Sequence, residues 1–186
     1  MINGIDVASY QGDKIPTNNI DFMFIKATEG TTYVNPDMEA QAKAAREAGI
    51  PVGFYHFLHP GFIAAQMSFF AEQCDSVLGD MLAIDWEVTG AGNYASGAEK
   101  DQALTVLRRL RPHHHRIGLY CSTSFWLGVD KTSQCGDFLW IAAPDVPHPP
   151  IEHPWLFWQK GERGGIDSDV GAFFSRKALR AWCEDA

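Results

Sequence analysis

The hydrophobic positions of this chain follow two alternating rhythms. Short apolar runs lie at NGIDVAS (3–9), FMFIKAT (22–28), PVGFYHFL (51–58), MLAI (81–84) and RIGLYCS (116–122). Each has strand length and is bounded by turn residues, and the run at 81–84 is apolar on both faces, as a buried parallel strand requires. Between the runs, apolar residues recur every three or four positions. Asn35 followed by Pro36 predicts a helix start, and Gly49 its stop. A second helix is predicted over 62–78, with Ile63, Met67, Phe70, Cys74 and Val77 on one stripe. Ser96 and Glu99 form a capping box that opens a third helix through Leu104, Leu107 and Leu110, ended by Pro112.

After residue 122 the rhythm changes. A helical turn is predicted around Phe125-Trp126, followed by strands at FLWIAA (138–143), WLFWQK (155–160) and IDSDVGAFF (166–174). Parallel neighbours need a crossover of about a dozen residues. The last connection, 161–165, is too short for one, so 155–174 predicts an antiparallel hairpin. A final helix is expected from Ser175 to about Trp182. The fold class is therefore α/β: an irregular TIM-like barrel, five β/α units followed by three strands with little helix between them. One domain spanning 1–186 is expected, with no internal repeat or flexible linker.

Charge narrows the partners. With 15 Lys and Arg against 23 Asp and Glu, the net charge of −8 argues against a nucleic-acid partner. No stretch approaches the roughly 20 apolar residues of a membrane span, so no membrane is expected as a partner. The N-terminus lacks the charged and apolar regions of a signal peptide, which leads to the expectation of synthesis in the cytoplasm. Cys74, Cys121, Cys135 and Cys183 lack metal-site spacing and are expected as free thiols. The run His113, His114, His115 precedes a strand, on the side away from strand C-terminal ends, and reads as a solvated loop rather than a metal site.

Candidate chemistry centres on Asp85 and Glu87. Residues i and i+2 of a strand project to one side, roughly 6.5–7 Å apart at Cα. Each carboxylate raises the other's pKa, and an apolar surround raises both. Glycosidic cleavage uses such a pair: one carboxyl protonated to donate, the other ionised. Asp6 ends the first strand in the same way, and a barrel enzyme places its chemistry at strand C-terminal ends. Lys26 reads as a charge partner of Glu29 or of the acids. His56, beside Tyr55, is turned to the opposite side by the strand alternation.

The segments GIDVASYQG (4–12), FIKATEGTTYVNP (24–36), AAREAGIPVGFYHF (44–57), LAIDWEVTG (82–90), GLYCS (118–122), LWIAAP (139–144), WLFWQ (155–159) and GIDSDVGAF (165–173) extend this reading. In this order they resemble the lysozymes of glycoside hydrolase family 25, the muramidases of bacteria and phages. The resemblance implies a barrel of five strand–helix units and three further strands, acting without cofactor or metal. It implies hydrolysis of the β-1,4 bond between N-acetylmuramic acid and N-acetylglucosamine in peptidoglycan. Glu87 would be the general acid and Asp85 would assist, with Asp6 and Asp167 completing a four-carboxylate floor. Tyr55, Tyr120, Trp140 and Gln159 would line the groove. A monomer of one catalytic domain without a separate wall-binding domain is expected, and between phage endolysin and bacterial autolysin the missing signal peptide favours a phage enzyme released onto the wall during lysis. Two positions depart from the family pattern. Bulky Trp86 stands between the paired acids, and Asp169 replaces an amide, so Asp167 and Asp169 compete for one role. Asp167 is favoured because it follows Gly-Ile. Rival expectations are a non-catalytic glycan-binding module, a chitin-directed glycosidase and a metal-dependent hydrolase using the clustered Asp.

Overall fold

The structure, a computed structural model, describes residues 1–111 and 113–186. Pro112, the expected end of the third helix, lies outside the described residues. Eight strands close into a barrel: β1 (Ile2–Val7), β2 (Phe22–Glu29), β4 (Val52–Phe57), β5 (Met81–Asp85), β6 (Arg116–Ser122), β7 (Phe138–Ala142), β8 (Phe157–Arg163) and β9 (Ile166–Gly171). A two-residue β3 (Tyr33–Val34) folds back antiparallel on β2. From β1 through β8 the barrel strands run parallel. β9 is antiparallel to both β8 and β1, so the expected hairpin is present and closes the ring.

Helices cover only part of the outer wall. They are α1 (Met38–Glu47), α2 (Ile63–Gln73), α3 (Gly97–Leu110) and α4 (Arg176–Glu184). The crossover after β1 carries a single 3₁₀ turn at Ser9–Gln11, and the one after β6 carries a π-helical turn at Phe125–Val129. The Ser96–Glu99 capping box forms as the sequence predicts: Ser96 Oγ accepts from the Glu99 amide, and the Glu99 carboxylate accepts from the Ser96 amide.

Two expectations need correction. Asn35 does not cap α1, whose N-cap is Asp37. Instead Asn35 accepts from the Asp37 amide and donates to the Lys26 carbonyl and to Gln41, tying α1 to β2. Similarly, α2 ends at Gln73 rather than 78, which leaves Val77 50% exposed instead of on the apolar stripe.

Strand alternation divides the apolar residues into two cores. Outward side chains such as Ile25, Phe54, Ile84, Leu119 and Ile141 pack under the helices. Inward side chains, among them Phe22, Phe24, Phe138, Trp140 and Phe157, fill the barrel. Glycines make room for these rings. A Cβ at Gly4, Gly53 or Gly118 would lie 2.3–2.4 Å from the ring of Phe22, Phe24 or Phe138 respectively. α4 crosses the lower end, where Leu179 and Cys183 join the inner core and the Trp182 carbonyl accepts from Arg116. The barrel interior is thus filled by side chains, and the cleft lined by strand C-terminal ends opens at the upper rim.

Candidate active site

Asp6, Asp85 and Glu87 reach the rim on strands or strand ends that run upward. Asp167 reaches it near the start of the downward strand β9, in register with Asp6. All four line one cleft of about 390 Å³, together with Tyr10, Gln11, Lys26, Glu29, Tyr55 and Phe57. Asp85 is the last residue of β5 and is buried, whereas Glu87 and Asp167 are half-buried. Between the two acids of the pair, Trp86 points outward. Its indole N–H donates to the Ala95 carbonyl at 2.6 Å, its ring packs on Phe125, and the Lys100 ammonium lies 5.5 Å from it. The departure at this position therefore belongs to the outer layer and leaves the cleft unchanged.

The other candidate residues separate by depth. Tyr55 lines the cleft, though it is largely buried. Tyr120 lies beside Asp85 in register and donates to Gln159 at 2.8 Å, and Gln159 donates to Asp6 at 2.8 Å. Trp140 does not line the groove. It is 1% exposed, stacked on Phe24, and its indole N–H donates to Asp169 at 2.8 Å. An aromatic in the middle of β7 faces the filled interior, because the barrel has no room for sugar at that level. Asp169 is also buried, one alternation step below Asp167 and in register with Gly4. Of the two competing acids, Asp167 is the one that meets the cleft.

Electrostatics follow from this burial. Desolvation, reinforced by Glu87, holds the Asp85 carboxyl well above the usual range, although Lys26 opposes the shift. Burial also raises Glu87, against Lys26 and with Asp167. Asp6 is pushed up to about 7, first by burial and then by Asp167. Burial and Glu162 raise Asp167. One oxygen of Asp85, Oδ1, is buried without a hydrogen-bond partner among the described residues. A buried acceptor without a donor is rare unless a ligand supplies one. Lys26 is the cation of the site, bonded to Glu29 at 2.6 Å, and Glu29 also meets His59 at 2.9 Å. His56 faces α2, between Thr28 and Gln66, and burial lowers it to about 4.

Sequence reading missed the groups that hold the rim. Gln41 of α1 donates to the carbonyls of Ala8 and Gly12, at 2.9 and 2.8 Å, and so pins the loop that carries Tyr10 and Gln11. A polar residue in the middle of a helix was the signal available, but it is a weak one.

The model of glycosyl hydrolases family 25 matches residues 5–169. The chain belongs to this family. Among curated family 25 relatives it is 28% identical, over 92% of its length, to the autolytic lysozyme of Clostridium acetobutylicum. It is also 28% identical, over 91% of its length, to lysozyme M1 of Streptomyces globisporus. The chain spans 54% and 66% of the length of these two relatives. Among solved structures it superposes on the muramidase from Acremonium alcalophilum with a TM-score of 0.83, at 25% identity and covering all of both chains. The lysozyme of Streptomyces coelicolor shares the fold with a TM-score of 0.80, at 23% identity, covering 99% of this chain and 97% of that one. The irregular TIM-like barrel is thus the family 25 fold.

Proposed function

We propose that the chain is a muramidase that hydrolyses the β-1,4 bond between N-acetylmuramic acid and N-acetylglucosamine in peptidoglycan. The observation that carries this reading is the convergence of Asp6, Asp85, Glu87 and Asp167 in one cleft at the barrel rim. Binding a neutral glycan does not need four acids, which desolvate at a cost. Bond cleavage through an oxocarbenium-like state does use them.

In this reading Glu87 is the general acid. It is the more accessible member of the pair, and burial favours its protonated form. Its proton passes to the glycosidic oxygen as the bond from that oxygen to the anomeric carbon breaks. The free Oδ1 of Asp85 suits the N–H of the muramic acetamido group. Accepting that hydrogen bond orients the acetamido carbonyl oxygen toward the anomeric carbon, where it forms the new bond. Water then opens this intermediate and returns a proton to Glu87, with net retention of configuration. Asp6 and Asp167 complete the anionic floor, which favours a developing positive charge, and Tyr55 closes it on the β4 side. The chain supplies the catalytic domain that acts on the bacterial wall.

Glu87→Gln keeps the shape of the residue but removes its proton. Lysis of wall suspensions should fall roughly 10²–10⁴-fold, with a much smaller loss on an aryl glycoside whose leaving group needs no proton. Mass spectrometry of wild-type digests should find new reducing ends on N-acetylmuramic acid. Near wild-type lysis by the variant, or reducing ends on N-acetylglucosamine, would refute the assignment.

A further inference from the structure

Below the acid floor lies a second buried carboxyl that the mechanism does not use. Asp169 sits in register with Gly4 on one side and with Gln159 on the other, diagonal to Asp6. It is 1% exposed. Its Oδ1 accepts from the Trp140 indole at 2.8 Å, whereas its Oδ2 is buried and has no donor among the described residues. Asp6 is held from the other direction: Gln159 donates to its Oδ2 at 2.8 Å, and Tyr120 donates to Gln159. Asp6 and Asp169 stand on the same inward face of the paired strands β1 and β9, two residues apart in register, and each carboxyl perturbs the other.

Two buried carboxylates cannot face each other with both charges present. The open oxygen of Asp169 needs either a cation or a proton. The groups turned toward it are Asp6 of β1, Asp167 of β9, Gln159 of β8, Trp140 of β7 and Tyr120 of β6, with Asp85 and Glu87 beyond. None of them is cationic, and Lys26 is engaged with Glu29. A proton on Asp169 satisfies every atom: Trp140 donates to Oδ1, and the Oδ2 hydroxyl donates to Asp6.

We propose that Asp169 is a protonated acid that donates a hydrogen bond to Asp6, making it a positioning residue for the active-site floor. Tyr120, Gln159, Asp6, Asp169 and Trp140 then form one continuous chain of hydrogen bonds across β6, β8, β1, β9 and β7. It fixes the Asp6 carboxyl from both sides. Burial and the neighbouring Asp6 both favour the neutral form of Asp169. The inference rests on the muramidase reading for its catalytic consequence but not for the proton itself.

The test uses Asp169→Asn, because an amide can still accept from Trp140 and donate to Asp6, and Asp169→Leu, which can do neither. In protein labelled with ¹³C at the Asp carboxyl carbons, the wild type at about pH 7 should show a protonated carboxyl resonance that is absent from Asp169→Asn. Asp169→Asn should retain kcat within about threefold, whereas Asp169→Leu should lose roughly 10- to 100-fold in kcat with little change in KM, the worth of a hydrogen bond to a charged group. The proposal is overturned if Asp169 is ionised at that pH, or if Asp169→Asn is as damaging as Asp169→Leu. A wild type inactive on peptidoglycan that still shows the protonated resonance would sink the muramidase reading and leave the shared proton standing.

Discussion

Replacing Asp6 by Asn should make the protein more stable, and by an amount that grows with pH. In the folded state burial and Asp167 raise this carboxyl from 3.8 to about 7, whereas in the unfolded chain it titrates at its ordinary value. Between those two values the folded state binds the extra proton, so wild-type stability falls as pH rises. Each pH unit is worth about 1.4 kcal/mol. The deficit is therefore close to zero near pH 3, about 2 kcal/mol at pH 5, and about 4 kcal/mol once pH exceeds 7, where it levels off. Asn does not titrate, and its carbonyl can still accept from Gln159. His56, lowered to about 4, shifts stability in the opposite sense below pH 6.5. It does so in both proteins and cancels in the difference. Urea unfolding of wild type and Asp6→Asn at pH 5 and pH 8 should show the variant's advantage growing by about 2–3 kcal/mol between the two. An advantage that stays constant, or that shrinks toward pH 8, would refute the claim that Asp6 is held at a cost. The same variant should lose lytic activity, so that stability and catalysis move in opposite directions at one atom pair.

Two further outcomes follow from the packing. Gly53→Ala would place a methyl carbon 2.3 Å from the Phe24 ring in the barrel interior, and should cost about 1–3 kcal/mol; an unchanged melting temperature would contradict the packing described. A thiol reagent should count four groups in the denatured, non-reduced protein, since Cys74, Cys121, Cys135 and Cys183 are free, and in the native protein the buried Cys121 should react more slowly than the half-buried Cys135. A count of two or zero, or a melting temperature lowered by reductant, would reveal a bridge.

Much of this was legible in the sequence because side chains alternate along most of each strand, apart from register shifts at Lys26/Thr28 and Gln159/Gly161. The i, i+2 spacing of Asp85 and Glu87 put both at the cleft, and the short 161–165 connection could only join an antiparallel pair. Ser96 and Glu99 marked a helix start by local chemistry alone. What escaped were properties of closure. A run such as FLWIA does not say which face of the strand turns inward or how full the interior is. The resemblance places Trp140 in the groove, but its side chain lies within the aromatic filling. Asn35 has the form of a helix cap, but its tertiary partners on β2 and α1 claimed it. Asp169 showed itself in the sequence only as an alternative to Asp167, and burial is what separates them.

The reversal of β9 also decides where the chain can be extended. β1 begins at the lower end of the barrel, and because β9 descends, α4 is delivered to that same end. Ala186 accepts there from the amide of His114, below β6. Both ends of the described chain therefore emerge on the side remote from the cleft, separated from it by the height of the strands, roughly 20 Å. A partner module fused at either end would leave the entrance open to a long polymer. It would also act as a foot: tethering through that end would hold the mouth outward, facing whatever surface the molecule is brought to.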